Sequence, residues 1–191
     1  MKKTMDNRLQ GKNIVLERMG PTIENAQKIF EVMEMNKEHW GKFLPWVKNV
    51  KRVEEVLKLL FDINYEWDNG EKYNYGVFLK NEYIGDVNVF NIFLKDSALE
   101  VGYWISKEYA GKGYMKEAIR ILEKEVFEER GFNRMYAKCD EENENSWKFI
   151  QSCGFQLEGK LREAFYSEQL KSFRNNLVLG KLKSDFDKEK Y

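Results

Sequence analysis

Hydrophobic and polar positions along this chain repeat with two periods, and the places where the period changes predict its elements. A short apolar run over residues 13–19 predicts a first strand. Apolar residues then follow at helical spacing after Pro21-Thr22, a proline and a capping residue typical of a helix start, and again from Val53 to a second end near Asn69-Gly70. The first third of the chain is therefore predicted as a strand followed by two amphipathic helices.

The period changes to two in the middle of the chain, which predicts strands. Residues 73–79 alternate, Asn81-Glu82 makes a tight connection, and a second alternating run passes through Val87 and Val89. A third run follows from Leu99 to Ile105. We expect the first two runs to form a hairpin and the third to lie beside it.

The last part of the chain alternates between helical and strand periods. A helical stripe follows Gly111-Lys112-Gly113 and ends at Gly131; its members are Met115, Ala118, Ile119, Leu122 and Val126. A strand over 134–139, a short helix over 143–153 and two strands near 155–165 and 173–182 come next. The polar residues 183–191 are expected to form an unstructured tail.

This order of elements predicts one α/β (α+β) domain over residues 1–191. A strand meander combined with helical crossovers indicates a single mixed sheet of about seven strands, partly antiparallel and partly parallel, flanked by helices. Ligands in such sheets bind where strand ends diverge.

Composition removes several classes of function. Lys plus Arg and Asp plus Glu both number 32, so the net charge is zero and the basic excess of nucleic-acid-binding proteins is missing. Two cysteines without a CxxC spacing and a single histidine argue against a disulfide framework, a zinc site or a histidine-based triad. No stretch approaches the ~18 apolar residues of a membrane-spanning helix. We expect a globular cytoplasmic protein without a metal.

A strand, a glycine-rich turn and a helix start follow one another between Val101 and Ala118. The two glycines let the backbone approach a ligand closely, and the free amides of the first helical turn favour an anion such as a pyrophosphate. Lys112, Lys116 and Arg120 either add positive charge there or lie on a solvated helix face. A plain turn is an equal alternative, because neither the dinucleotide fingerprint nor a P-loop motif is present.

Several spaced motifs resemble those of the GNAT acetyltransferases. They are Gly102-Tyr103-Trp104, Gly111-Lys112-Gly113-Tyr114, Asn143-x-x-Ser146, Cys153-Gly154-Phe155 and Glu158-Gly159. The resemblance runs from about Ile14 to Leu182 and is strongest to the branch that acetylates the N-termini of ribosomal proteins. It implies a GNAT fold with a partly splayed sheet, and an enzyme that moves an acetyl group from acetyl-CoA to an amine.

The resemblance also implies a coenzyme site. In that family the loop amides hold the coenzyme pyrophosphate, and the preceding strand splays from its neighbour to bind the pantetheine arm. The residues implied here are Val101, Tyr103, Trp104, Ile105, Tyr109, Gly111, Lys112, Gly113, Tyr114, Met115 and Asn143. Glu108 stands where a Gln or Arg often begins the loop.

Ser146 is implied to protonate the departing thiolate. On residue pattern alone, Asn143-x-x-Ser146 is a typical helix cap, and the resemblance favours the catalytic role, with Asn143 holding the serine or the pantetheine arm. The implied reaction is direct attack of a neutral amine on the thioester, with backbone N–H groups of the Tyr103 strand stabilising the oxyanion.

The general base is left open. The glutamate that some members of the branch place after the Glu-Gly pair falls on Phe165 in this chain. Glu163, Glu100 and Asp86 are the candidates, each equally able to pair with a neighbouring charge, and a chain of water molecules is a further alternative.

Two other groups are predicted to pack rather than to react. Cys139 and Cys153 occupy positions typical of small apolar residues. Trp40, Phe43 and Trp46 are core residues by default, although the resemblance implies that this region overhangs the acceptor cleft.

The leading functional hypothesis is acetylation of the N-terminal α-amine of a ribosomal or other protein. The alternatives are acetylation of a small amine such as a polyamine or aminoglycoside, and a non-catalytic module that binds acetyl-CoA. The expected partners are acetyl-CoA and an amine acceptor, with no nucleic acid and no membrane, and a homodimer stays open.

Overall fold

An eight-stranded mixed sheet forms the centre of the computed structural model, which describes residues 4–189. The strands are β1 (Arg8–Gln10), β2 (Ile14–Arg18), β3 (Tyr73–Leu79), β4 (Glu82–Phe93), β5 (Ala98–Ile105), β6 (Arg134–Asp140), β7 (Gln156–Ser167) and β8 (Ser172–Leu182). Their order is β1-β2-β3-β4-β5-β6-β8-β7, and β5 pairs with β6 in parallel while the other neighbours are antiparallel. The predicted fold class is confirmed, and the strand that the pattern missed is β1, which is too short to show an alternation.

Within the described residues, six α-helices flank this sheet. They are α1 (Ile23–Trp40), α2 (Pro45–Asn49), α3 (Val53–Asn69), α4 (Tyr114–Lys124, continued by a π-helical turn over Glu125–Glu129), α5 (Glu144–Ser152) and α6 (Lys183–Lys188). Thr22 caps α1 as predicted, since its hydroxyl accepts from the Asn25 amide at 3.2 Å. Gly70 ends α3 with a φ of 72°, which glycine adopts without strain. In the described part of the chain, no helix has the length and apolar character needed to cross a membrane.

Side chains of alternate positions pack on opposite faces of the sheet. On one face, Leu99, Val101 and Tyr103 of β5 join residues of α4 and α5 in the larger apolar cluster. On the other face, Trp104 of β5 and Tyr83 of β4 join residues of α1 and α3 in a second cluster. The central strands therefore contribute to two cores that are separated by the sheet.

The C-terminal segment is helical, which corrects the expectation of an unstructured tail from Lys183. Phe186 of α6 is 3% exposed, and its ring packs against Phe127 with 5.4 Å between the centroids. One apolar anchor in a polar segment makes no period, so the pattern could not predict this helix. Residues 1–3 and 190–191 of the predicted domain lie outside the described residues.

Lys181 of β8 ties three helices together. Its side chain is fully buried, and Nζ donates to Glu123 of α4 and to Glu189 just after α6 at 2.9 Å each, and to the Cys153 carbonyl at the end of α5 at 2.8 Å. Burial raises the pKa of the Glu123 carboxyl, and the Lys181 ammonium partly opposes this rise. The network fixes α4 and α5 relative to the sheet.

We expect Lys181→Met to lower the free energy of unfolding by about 3 kcal/mol, because the buried Glu123 carboxylate loses its ammonium partner. Urea unfolding followed by circular dichroism measures the loss. Lys160→Met is the matched control, since Lys160 forms a more exposed ion pair with Glu141, and removing an exposed pair should change the stability little. Equal stability of the two variants would contradict a structural role for the buried network.

Candidate active site

The parallel strands β5 and β6 separate part of the way along their length. They pair only where residues 98–100 of β5 meet residues 134–136 of β6. Beyond that point β5 stays paired with β4 as far as Ile105, while β6 stays paired with β8 as far as Asp140. A cavity of about 1170 Å³ occupies the gap, and its lining includes side chains from both faces of the sheet.

The turn between β5 and α4 lies at one end of this cavity. Tyr109 and Ala110 donate their amides to the Ser106 carbonyl within the turn. Gly111 and Gly113 have φ values of 74° and 88°, and a Cβ built on either would meet no atom within 4 Å. The amides of these two glycines donate to no group in the part of the chain that the structure describes. The predicted anion site thus combines free donors, open space and the positive end of a helix.

Ser146 lies in the first turn of α5, beside the gap. The Asn143 side chain accepts from the Ser146 amide at 3.3 Å, so Asn143 caps α5 as its pattern predicts. Ser146 Oγ lies 3.0 Å from the Tyr103 hydroxyl oxygen and 3.4 Å from Cys139 Sγ. The Tyr103 hydroxyl also donates to the Ser146 carbonyl at 2.9 Å. Three groups that can carry a proton therefore meet where β5 and β6 have separated.

Burial keeps the acidic members of this cluster protonated. It raises the pKa of the Tyr103 hydroxyl well above its ordinary value, and the neighbouring Cys139 adds to that rise. Burial also raises the pKa of the Cys139 thiol, against the lowering effect of the Ser146 and Tyr103 hydroxyls. A neutral thiol is a poor nucleophile. The cluster is therefore better suited to proton transfer than to a covalent intermediate on Cys139.

Polar side chains line the cavity on the other face of the sheet. Asn74 of β3 and Asp86 and Asn88 of β4 lie there, among strand neighbours that are buried and apolar. Asp86 is 8% exposed, and among the described residues its buried Oδ1 has no hydrogen-bond partner. Trp46 of α2 and Leu59 of α3, 42% and 37% exposed, also line this side. This chamber suits a polar group at its base and apolar contacts at its mouth.

Most residues predicted to bind a coenzyme line this one cavity. Those that line it are Val101, Tyr103, Trp104, Ile105, Tyr109, Gly111, Gly113, Met115 and Asn143. The other two contact Tyr109 instead: the Lys112 ammonium lies 5.4 Å from its ring centroid, and the Tyr114 ring centroid lies 6.3 Å away. The role of Lys112 and Tyr114 in a coenzyme site stays a prediction.

The candidate carboxylates lie in different surroundings. Glu100 is 6% exposed, and its Oε2 accepts from Asn91 at 2.9 Å and from the Lys138 ammonium at 3.0 Å. Glu163 is exposed on β7. Neither is among the described residues that line the cavity, whereas Asp86 is.

Some features of the site escaped the sequence analysis. Cys139 is buried as predicted, yet it borders the cavity, which no local pattern could show. Trp40, Phe43 and Trp46 all line the cavity, and Trp40 also packs in the core, with its ring centroid 4.5 Å from that of Trp104. The sequence of β3 and β4 held a signal for the polar side of the cavity. Asn74 in β3, and Asp86 and Asn88 in β4, are polar residues that alternate with other residues of their strands.

Comparison with known proteins identifies relatives of this chain. Residues 14–156 match the family model described as acetyltransferase (GNAT) domain. The chain is 27% identical over 144 residues to the putative ribosomal N-acetyltransferase YdaF of Bacillus subtilis (strain 168), covering 75% of this chain and 79% of that protein. It is 24% identical over 140 residues to the ribosomal-protein-serine acetyltransferase of Escherichia coli (strain K12), covering 73% of this chain and 78% of that protein.

Solved structures share the fold. The microcin self-immunity acetyltransferase MccE in complex with acetyl-CoA and AMP superposes with a TM-score of 0.82 at 23% identity, over 90% of this chain and 93% of that one. RimL, a ribosomal alpha-N-protein acetyltransferase in complex with coenzyme A, gives a TM-score of 0.83 at 20% identity, over 92% and 97% of the two chains.

We predict that alkylation of Cys139 by iodoacetamide is still accelerating with pH at about pH 9, because the raised pKa of the buried thiol keeps it neutral below that range. The Cys153→Ala variant leaves Cys139 as the one cysteine of the chain, so mass spectrometry reports its rate directly. A rate that levels off below about pH 8 would contradict this picture and indicate a stabilised thiolate.

Proposed function

The chain belongs to the acetyltransferase (GNAT) family, and from that premise we propose that it transfers the acetyl group of acetyl-CoA to the N-terminal α-amine of a protein. The observation that carries the proposal is the gap between β5 and β6, whose cavity extends from the glycine-rich turn before α4 to the polar chamber of Asn74, Asp86 and Asn88. Two substrates that approach from opposite faces can meet beside Ser146. The two relatives that are named as ribosomal acetyltransferases support this acceptor class.

The residues along the gap fit a coenzyme A molecule. Its pyrophosphate would take the free amides of Gly111 and Gly113 at the start of α4. Its pantetheine arm carries amide groups, for which the edge of β5 from Val101 onward offers backbone donors and acceptors that β6 does not use. Acetyl-CoA or coenzyme A is present in the MccE and RimL structures of the same fold.

Cys139 lies close to the place where we expect the coenzyme sulfur. In the RimL complex the coenzyme forms a disulfide with one of that protein's cysteines. In this chain Cys139 borders the gap, and its Sγ lies 3.4 Å from Ser146 Oγ. A thioester whose sulfur lay beside Cys139 would present that sulfur to Ser146.

Ser146 is the proton donor in the proposed reaction. When the carbon–sulfur bond breaks, the thiolate needs a proton, and Ser146 Oγ stands at a helix N-terminus, where the dipole favours negative charge on the sulfur. The Tyr103 hydroxyl, 3.0 Å away, can resupply the serine. Because burial raises its pKa, Tyr103 keeps its proton until the serine requires it.

The acceptor chamber favours an α-amine over a more basic amine. An α-amine has a pKa of about 7.7 to 8.0 and is partly neutral at physiological pH, whereas a lysine or polyamine amine near 10.4 is neutral only to roughly one part in a thousand. Lys72 lines the chamber with Asp62 and Asp86, so the lining is not uniformly acidic as a polycation would require. Trp46 and Leu59 offer apolar contacts to the residues that follow an N-terminus.

Ser146→Ala should lower kcat about 10²-fold with little change in affinity for acetyl-CoA, as expected for a group that acts only in the transition state. Steady-state kinetics and a thermal shift with acetyl-CoA measure the two quantities. Ser146→Thr is the matched control, because it keeps a hydroxyl at the same place and should retain most of kcat. Unchanged kcat in Ser146→Ala would leave Ser146 with a role in the helix start alone.

The acceptor is tested with a panel of amines and labelled acetyl-CoA, reading kcat/KM for each. We expect short peptides beginning with Ser or Ala to be acetylated at the α-amine in preference to spermidine and aminoglycosides. The same peptides with a blocked N-terminus and an internal lysine are the control for side-chain acetylation. Preference for an aminoglycoside or a polyamine would overturn the acceptor assignment, and binding of acetyl-CoA without transfer to any amine would overturn the enzymatic function.

A further inference from the structure

Asp86 has the surroundings of a proton acceptor on the acceptor side of the gap. We propose that the Asp86 carboxylate accepts the proton that the amine loses as it attacks the thioester. The proposal rests on the proposed function, because it assigns the general base of that same reaction.

Asp86 is a buried carboxylate with one unsatisfied oxygen and no ion pair among the described residues. It is 8% exposed, and in residues 4–189 its Oδ1 is buried without a hydrogen-bond partner and the side chain forms no salt bridge. An ionised carboxylate is costly to bury unless hydrogen bonds or an ion pair compensate. Tyr83 and Asn74 lie beside the carboxylate and favour its charged form, but only in part. Because the residue also lines the cavity, its carboxylate can contact an N–H donor bound there.

The strand register places Asp86 beside the gap, on the side opposite Ser146. Asp86 is paired with Trp104 of β5, and directly paired residues point to the same face of a sheet. Trp104 packs on the face of α1 and α3. The preceding residue, Tyr103, points to the other face, where it contacts Ser146. The proposed acceptor and donor of protons thus lie on opposite sides of one strand, as required when the amine enters from one face and the thiolate leaves on the other.

The other carboxylates of the cavity are less suited to this role. Within the described chain, the carboxylates that line it are Asp62, Asp86 and Asp140. Asp140 forms a salt bridge with Arg174 at 2.7 Å, and Asp62 is exposed on α3. Glu100, the other buried acidic residue on the face of Asp86, is held by Lys138. Asp86 is the one that combines burial, contact with the cavity and an unpaired oxygen.

Burial and the groups beside Asp86 together set its pKa near neutral pH. Tyr83 of β4, Asn74 of β3 and Lys72 just before β3 act on the carboxylate. Asp62 of α3 and His39 of α1 line the same cavity, as do Gly102 and Trp104 of β5, which do not titrate. Burial raises the pKa of Asp86 to about 7, and Tyr83, Asn74 and the charge of Lys72 oppose that rise only in part. A base is most effective when its pKa lies near the working pH.

Atoms and protons balance with these residues. The neutral amine forms a carbon–nitrogen bond to the thioester carbonyl carbon and gives one proton to Asp86. The carbon–sulfur bond breaks, its electron pair leaves on sulfur, and Ser146 gives that sulfur one proton. Asp86 then releases its proton to solvent and Ser146 regains one, so the amide and the free thiol form without net proton uptake or release.

The test is the pH dependence of kcat/KM for Asp86→Asn with an N-terminal peptide. In the wild type we expect activity to rise through Asp86, with a pKa of about 7, and through the peptide amine, with a pKa of about 7.7 to 8.0, so that log kcat/KM climbs with a slope of about two below both. In Asp86→Asn the slope should fall to about one, and kcat/KM near pH 7 should fall about 10²-fold. A thermal shift with acetyl-CoA equal to that of the wild type shows that the fold and the coenzyme site persist.

Asp62→Asn is the matched control, because it removes a carboxylate from the same cavity and should keep the slope of about two. A slope that persists in Asp86→Asn, or that is lost in Glu100→Gln instead, would overturn the assignment of Asp86. A wild-type profile that follows the peptide amine alone would overturn it without any variant. If the wild type transfers acetyl groups to no amine, the proposed function fails and this assignment fails with it, whereas peptide acetylation with the wrong profile rejects Asp86 alone.

Discussion

The structure depends on one interruption of backbone pairing, where β5 and β6 stop exchanging hydrogen bonds beyond Glu100 and Tyr136. Each strand keeps its other neighbour, so the sheet stays continuous on both sides while a gap opens in its middle. Backbone groups along the gap need partners that the sheet no longer supplies. The interruption therefore creates a binding surface made of main chain, places the β5–α4 turn at its end, and connects the two faces of the sheet.

β5 borders the gap and contributes side chains to both faces of the sheet, because its side chains alternate. Tyr103 meets Ser146 on the face covered by α4 and α5, and the neighbouring Trp104 pairs with Asp86 on the face covered by α1 and α3. Buried polar groups on either face lower stability. The two apolar clusters that flank the gap offset this cost, and the Lys181 network holds α4 and α5 in place behind one of them.

Several ionisable groups near the gap are buried, and they differ in which neighbours they have. Glu100 has an ammonium at 3.0 Å and serves the packing of the sheet. Burial raises the pKa of Cys139, the Ser146 and Tyr103 hydroxyls oppose that rise only in part, and the charges of Glu100 and Asp140 add to it, so the thiol stays neutral. Asp86 has no ion pair among the described residues, and burial raises its pKa to about 7. Glu100 and Asp86 lie on the same face, but only Glu100 has an ion pair among the described residues, which is why we propose Asp86 and not Glu100 as the base.

The sequence by itself determined the elements that local periodicity encodes, which include the helix started by Thr22, the hairpin of β3 and β4, and the glycine-rich turn before α4. It also carried the resemblance that led to Ser146. It could not determine α6, whose single anchor Phe186 makes no period, or which acidic residue reaches the cavity. The contact between Tyr103 and Ser146 joins residues 43 positions apart, and the place of Asp86 opposite Trp104 depends on the register of β4 against β5. Such features were decided only by tertiary structure, because they depend on which strands pair and on where paired strands separate. Local sequence patterns encode neither.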